Sequence, residues 1–477
     1  MGPSGSSDSR RDAAEDVERL IGLLDRDDVR QSILFAAANT VPLDRLANLP
    51  IPSGFTREQT IALVSAVVRT GAVYSPIPDE DGRLHWYVYT HTMRRALSEI
   101  DRFCTEESRL HEETSTRAGA RFLIQSNVDE AICAAQLDGV NIDYDSAKDL
   151  LLMQRQPRTA SERLILNQFQ LGERLQEMTH LPWTPETLHG LYAQLTAGVP
   201  FDRSRTSVGT APQRDAEAIL RGACEYAGSV YRAKCEHPAI TACILRTVIA
   251  YFAPFPAWNG VMSRIIFRLY ALRQGYPVLG SIPVSRSALD LARHPGAIVP
   301  SGVFPSGVGP TGSLPTAAAD ALTQMLDRYH EANATPWLAV QLILLTHALS
   351  QFRNRMSWAK VVDEEVRARL HADTSLNHRQ RSILGRALRI PSATFRIGYH
   401  RTAHGIGYAT AHRDFASLVE HGYLVEHTQG RAIVFTAAPD LEERLGSLEQ
   451  VARIEDYYVE LPAELLMYGQ AGAAVPE

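Results

Sequence analysis

Tyr251-Phe252-Ala253-Pro254-Phe255-Pro256-Ala257-Trp258-Asn259-Gly260-Val261-Met262-Ser263-Arg264 is the stretch on which the fold turns. Before it, His237 to Phe252 reads as an apolar helix; after it, Met262 to Leu272 reads as another. Between them lie two prolines and an Asn-Gly, which break helices and set turns. A loop that delivers free N–H groups to the start of a second helix is a phosphate cradle. Both the unpaired N–H groups and the helix dipole favour an anion there. Arg264 lies on the first turn of that second helix and adds a charge.

This stretch resembles the core motif of the Fic (Fic/DOC) family, roughly His-Pro-Phe-x-Asp/Glu-Gly-Asn-Gly-Arg-x-x-Arg. Most active members of that family transfer AMP from ATP to a protein hydroxyl. Pro254, Phe255, Asn259, Gly260 and Arg264 fall on their motif positions, and Trp258 takes the place of the first glycine. Ala253 stands where the resemblance places the catalytic histidine, Ala257 at the magnesium-binding acid and Val261 at the first arginine. The frame of the loop is kept and its chemistry is largely removed. Alanine cannot act as the general base, offers no oxygen to a metal, and valine cannot clamp phosphate oxygens. No catalytic residue is therefore assigned. His237, His294 and Cys235 are the substitute bases considered. The expected ligand-binding set is Pro254, Phe255, Trp258, Asn259, Gly260 and Arg264, with Trp258 offering a flat face for stacking.

The chain has 477 residues, enough for about three domains at roughly 150 residues each. Hydrophobic residues make up 45% and charged residues 21%, ordinary for a soluble globular protein. A net charge of -6 argues against general affinity for nucleic acid and leaves room only for a local basic patch. Five scattered cysteines with no C-x-x-C pair read as reduced thiols. The N-terminus lacks an apolar signal-like run, and no 18-residue apolar stretch occurs. The expectation is a cytoplasmic protein that does not enter membranes.

The expected fold is mainly α. Residues 1–14 read as a disordered tail and 15–110 as an N-terminal helical subdomain with a hairpin. In it, Asp16 to Asn39 forms one helix and a second opens at Thr56. A hairpin of Ala72–Tyr74 and Trp86–Tyr89 then turns at Asp79–Gly82. A helix followed by a hairpin has the shape of a winged-helix end. The acidic tip favours instead a packing role. Residues 111–370 read as a Fic-type helical domain, 371–445 as a winged helix-turn-helix and 446–477 as a C-terminal tail.

Within the helical domain, Glu130 to Gly139 resembles the family's inhibitory helix, signature Ser/Thr-x-x-x-Glu-Gly/Asn. The resemblance implies that the acid pairs with the second core arginine and blocks the ATP γ-phosphate. Here Asp138-Gly139 holds the acid position one methylene shorter, and Ala134 the hydroxyl position. Asp138-Gly139 equally reads as a plain helix C-terminus. Residues 198–212 are Gly/Pro/Ser-rich, where the family has its flap; Arg203 and Arg205 are its candidate basic residues. Residues 275–316 read as a long Gly/Pro/Ser-rich loop near the pocket mouth, followed by helices at Ala317–Ala332 and Pro336–Arg369.

Residues 376–436 resemble the winged helix that closes many Fic proteins, with Tyr408 to Gly422 as the second helix and a short strand pair after it. This segment carries eight arginines, no lysine and three acids, a net of +5, with six histidines besides. A basic module on an acidic chain is the footprint of a DNA contact, and Tyr408, Thr410, His412 and Arg413 are its candidate residues. Winged helices also serve in dimerisation. The partners weighed are DNA, a nucleotide or other small ligand, and a second copy of the chain. ATP or another nucleotide is the candidate cofactor, without magnesium at Ala257. Three readings stand open: a ligand-binding regulator joined to a DNA-binding module, a repurposed enzyme acting on a nucleotide or phosphorylated small molecule, and an AMP transferase with a substitute base.

Overall fold

Capping residues divide the chain into helices before any long-range contact forms. Thr56, Thr90, Ser108, Thr116, Thr159 and Thr184 each accept a hydrogen bond from an amide of the first turn that follows. Thr56 and Gln59 complete a reciprocal capping box. The computed structural model describes residues 22–38, 48–78, 82–152, 155–200, 215–229, 236–293, 332–389, 393–429 and 432–445.

In chain order, α1 (Asp27–Ala38) and α2 (Arg57–Arg69) lead to the antiparallel hairpin β1 (Val73–Pro78) and β2 (Leu84–Tyr87). Then come α3 (His91–Cys104), α4 (Arg109–Ser115), α5 (Arg117–Leu137), α6 (Tyr144–Leu152), α7 (Ala160–Arg174) and α8 (Pro185–Leu195). They are followed by α9 (Ala216–Gly228), α10 (Pro238–Phe252), α11 (Asn259–Arg273), α12 (Val284–Arg293) and the 38-residue α13 (Thr335–Ala372). The chain continues with α14 (His378–Arg389), β3 (Thr394–Phe395), α15 (Ile397–His404), α16 (Tyr408–Glu420), β4 (Leu424–Gln429), β5 (Ala432–Ala437) and α17 (Leu441–Leu445). The protein is mainly α. It divides into two compact units, 1–350 and 351–477, with the boundary inside α13.

The first unit is built around α10 and α11. Both are apolar around most of their circumference, so both must be enclosed on all sides. From Ala239 to Tyr251 every residue of α10 except Ala250 is buried, and α11 is buried from Val261 to Leu272. The two helices pack along each other; α9 flanks α10, and α5 flanks α11. α5 in turn packs on α7 and α12. The hairpin is tied to this core by hydroxyls rather than exposed as a wing. Tyr87 donates to the buried carboxylate of Glu236, which also accepts from Tyr226 at 2.6 Å and Thr241 at 2.8 Å. The backbone of Trp86 accepts from Ala334 at 2.7 Å, so the hairpin also fixes the start of α13.

Three expectations are corrected. The helix expected from Asp16 to Asn39 is interrupted at Asp25-Arg26, and α1 begins at Asp27. Asp28 accepts from Arg26, Val29 and Ser53, an arrangement that closes a turn against the 50–53 segment. Residues before Gly22 and the ends of that span lie outside the described residues. The stretch expected to be a loop from 275 contains α12. Its Val284, Ala288 and Leu291 are buried at helical spacing, a period hidden among the surrounding glycines, prolines and serines. Glu130 of α5 fixes its start by accepting from the Ser285 backbone at 2.9 Å and hydroxyl at 2.6 Å. Residues 294–331, with most of the helix expected at Ala317–Ala332, lie outside the described residues. The strand pair after Gly422 is longer than expected and gains β3, in the antiparallel order β3-β5-β4.

The second unit closes on its own core. Val366 and Leu370 of α13, Leu384 and Leu388 of α14, and Phe415 and Leu418 of α16 are buried together. Phe415 stacks on Phe435 of β5 at 4.5 Å between ring centroids. Asn377 caps α14, accepting from Arg379 and Gln380 while Gln380 returns the bond. Asp414, buried on α16, gathers α14 and α15. It accepts from Arg379 at 2.7 Å, Asn377 at 2.9 Å and His400 at 3.1 Å. Burial works to raise its pKa, but the hydrogen bonds from Arg379, His400 and Asn377 outweigh this and hold the carboxyl at about 2. An unfolded aspartate titrates near ~3.9, so the folded form binds protons less readily and its stabilisation is present above that value. It is lost as pH falls through about 2. Asp414→Asn is expected to cost the second unit about 2 kcal/mol at pH 7 and close to nothing at pH 2. Urea titrations read at residues 378–437 would check this, and an equal cost at both pH values would refute it.

A candidate anion site at the core loop

The loop between α10 and α11 is fixed by backbone geometry at both ends. Ala253 and Trp258 take left-handed conformations, with φ of 46° and 60°. Each costs about 1 kcal/mol or more for a residue with a Cβ, so the surrounding contacts hold them there. Asn259 closes the loop: its Oδ1 accepts from the Phe255 amide at 2.9 Å, and its Nδ2 donates to the Phe255 carbonyl at 2.7 Å. Phe255 is buried and stacks on Tyr192 of α8 at 4.7 Å, with His189 edge-on at 5.9 Å. Asn259 and Phe255 thus shape the loop from inside it, while Pro254, Trp258 and Gly260 are partly exposed on it. Ala257 and Val261 are buried, at 2% and 0%.

Trp258 supplies no side-chain cap to α11, and the first intrahelical bond runs from Met262 to the Trp258 carbonyl. The preceding N–H groups therefore need an outside acceptor. Asp138 provides it from the end of α5. Its Oδ2 accepts from the Val261 amide at 2.9 Å, and its Oδ1 accepts from Arg264 Nη1 at 2.8 Å. Arg264 Nη1 also donates to the carbonyl of Ala134, at 3.3 Å. The partly negative end of α5 thereby meets the partly positive start of α11, with a buried ion pair between them. Gly139, at φ 79°, lets the chain turn away just after Asp138. Gly260 is needed for the approach, because a Cβ there would lie 2.1 Å from Asp138 Oδ1.

The pair is dry: the Arg264 side chain is 3% exposed and that of Asp138 11%. Arg264 is not saturated by it. Its Nε and Nη2 are buried without a hydrogen-bond partner among the described residues. A magnesium ion does not fit this loop. Ala257 offers no ligand oxygen, and both Asp138 oxygens accept from N–H donors. Among the described residues no group of three His, Cys, Asp or Glu side chains is placed to hold a metal.

Of the substitute bases considered, the described residues include only His237, and it lies away from the loop. His237 caps the opposite end of α10, accepting from Ala239 at 3.1 Å and pairing with Asp101 at 2.9 Å. Fifteen helical residues separate it from Ala253, roughly 22 Å at 1.5 Å per residue. His294, Cys235, Arg203 and Arg205 lie outside the described residues. Arg246 was missed in the sequence. It is 7% exposed in the middle of α10, and its signal is plain: one cation inside the run Ile240 to Phe252. In the second unit, Tyr408, His412 and Arg413 are exposed and Thr410 half-buried on one turn-and-a-half of α16.

Fold and site together define a mainly helical protein whose helix-start anion cradle is filled by its own carboxylate. The chain is similar to two solved structures of Fic proteins, the family whose motif the core loop resembles. One is a Fic family protein from Desulfovibrio desulfuricans G20, 15% identical with a TM-score of 0.44, covering 74% of this chain and 98% of that one. The other is a Fic-domain-containing signaling protein from Bacteroides thetaiotaomicron VPI-5482, 15% identical with a TM-score of 0.35, covering 55% and 97%. No protein-family model matches the chain, and no curated protein matches it. No described helix is long and apolar enough to cross a membrane.

Proposed function

We propose that this is a Fic-fold regulator without AMP-transfer chemistry, in which a ligand site at the core loop controls a DNA-binding winged helix. The observation that carries the reading is the Asp138 carboxylate seated on the Val261 amide and Arg264. An anion site closed by the chain's own acid, beside a loop with neither base nor metal ligand, suits sensing better than turnover. An anionic ligand would act by displacing that carboxylate, and can shift a two-state protein only by its preference for the open form.

The DNA half rests on the second unit. Arg379 is consumed by Asp414, and Arg386 lies over the rings of Phe395 and Tyr399. Arg396, Arg401 and Arg413 remain exposed, with Tyr399 and Tyr408 exposed beside them in sequence. Exposed arginines neutralise phosphates, and each such contact steepens the salt dependence of binding. Gel shifts with the DNA upstream of the protein's own coding sequence, at two salt concentrations, test this. Binding is expected to weaken with salt, and Arg413→Ala to lower the slope by about 1. No salt-dependent binding would remove the DNA half. Labelled ATP is expected to leave no label on the purified protein; labelling would restore the AMP-transferase reading.

The unpartnered Nε and Nη2 of Arg264 favour one other reading, a repurposed enzyme that holds a phosphorylated small molecule at the loop. Turnover of such a molecule, followed by release of phosphate or of a transferred group, would distinguish it.

A further inference from the structure

Three histidines meet in the second unit around the Asp414 carboxylate. His400, buried on α15, aims its Nε2 at Asp414 Oδ2, 3.1 Å away, and lies edge-on to Phe415 at 5.3 Å. His404, one turn further along α15, sets its ring against His400 at 4.7 Å between centroids. His378, at the start of α14, meets His404 at 6.2 Å. Neutral imidazoles pack in this way without electrostatic cost, whereas imidazoliums repel one another.

The charges that face the cluster are one-sided. α14 contributes His378, Arg379 and Arg386, the last lying over the Tyr399 ring of α15 at 6.0 Å. α15 contributes His400, His404 and the exposed Arg401, and α16 contributes Asp414 with the exposed His412 and Arg413. Asp414 is already committed. Arg379 holds both of its oxygens, at 2.7 and 3.0 Å, and Asn377 and His400 add donors at 2.9 and 3.1 Å. Four donors fill the lone pairs of a carboxylate. A proton on His404 therefore adds a positive charge beside Arg379 and two further rings, and Asp414 has no oxygen left to meet it.

Burial first, then His400, His378 and Arg379, pull the His404 pKa below the ordinary histidine value against the opposing pull of Asp414. The unfolded chain thus takes that proton more readily than the folded one. The stabilisation of the neutral cluster is complete above about pH 6.5 and is lost as pH falls below it. That window lies well above the one set by Asp414, whose carboxyl is held at about 2.

We propose that His378, His400 and His404 form an acid-sensitive latch: neutral, they hold α15 against α14 and α16, and charged, they release it. α15 is joined to α16 by the turn at 405–407, where Gly405 takes φ of 61° and the Ile406 amide donates to the Arg401 carbonyl at 3.1 Å. Release of α15 loosens the start of α16, which exposes Tyr408, His412 and Arg413. The latch depends on packing inside the second unit and holds whether or not that unit binds DNA.

Hydrogen exchange of the full chain at pH 7 and pH 5 tests this, with rates corrected for intrinsic exchange. Protection of the amides of 397–404 is expected to fall at least tenfold at pH 5, the equivalent of about one pKa unit. His404→Gln removes the central charge and is expected to leave less than a threefold fall. If that variant does not fold, His378→Gln, at an exposed position, carries the test. It deletes one like charge, so the imidazole resonance of His404 is expected to titrate at higher pH and the fall in protection to shrink. Protection unchanged between pH 7 and pH 5 would overturn the latch. A fall that persists undiminished in the variant that folds would place the sensor outside these histidines, with the same result. A fall of equal size at 259–273 in the first unit would mean general acid unfolding and would also overturn it, as would a loss that begins only below pH 4, where carboxylates titrate.

Discussion

Asp138→Ala is expected to lower the unfolding free energy of the first unit by about 3–5 kcal/mol, the cost of removing one partner from a buried ion pair. The carboxylate does three things at once. It neutralises Arg264, accepts the Val261 amide that begins α11, and joins the end of α5 to the core loop. Its removal strands a guanidinium that already has two unmet donors. Arg264→Leu should cost less than Asp138→Ala, because it deletes the stranded charge rather than exposing it. Urea denaturation followed by tryptophan fluorescence measures both. A loss below about 1 kcal/mol for Asp138→Ala would mean that water satisfies Arg264 and that the contact is incidental.

The second large effect concerns repair of the motif. Ala253→His, Ala257→Asp, Trp258→Gly and Val261→Arg together restore the base, the metal ligand, the glycine and the clamp. The combined variant is nevertheless expected to incorporate no labelled AMP, with or without Asp138→Gly to clear the cradle. Catalytic groups need support within about half an ångström of the productive geometry. The supporting positions here are dry: Ala257 is 2% exposed and Val261 not at all. Placing a carboxylate and a guanidinium there desolvates two charges, and the variant is expected to lose about 4 kcal/mol or more of stability. Trp258→Gly alone works in the other direction on the backbone, since φ of 60° suits glycine. Labelled-AMP incorporation and thermal unfolding of the same preparation read both expectations. Robust labelling would show that only the loop residues separate this protein from transfer chemistry.

Much of this architecture can be read locally. The Pro-rich break at 253–258 marks where α10 stops and α11 starts, because proline and Asn-Gly end helices whatever surrounds them. The Thr and Ser caps place helix starts, and Gly139 marks the turn after α5, for the same local reason. The short runs Leu424–Glu426 and Ala432–Phe435 mark the hairpin of the second unit, though not its full length. From 275 onward composition hides the period: glycines, prolines and serines surround Val284, Ala288 and Leu291, the buried face of α12.

The sequence by itself determined the helix–loop–helix, the missing base and metal ligand at Ala253 and Ala257, and the basic character of residues 376–436. The pairing of Asp138 with Arg264 is implied by the resemblance of Glu130–Gly139 to an inhibitory helix, although the two are 126 positions apart and no local pattern shows it. Only the tertiary structure decided that the same carboxylate also accepts the Val261 amide at the start of α11. Arg246 likewise is, as a letter, an odd cation in an apolar helix, and only packing decides that it is 7% exposed there. Local propensity acts through the backbone and near neighbours. Charge balance in a dry core is set by which helices touch, and that is fixed by the burial of the whole chain.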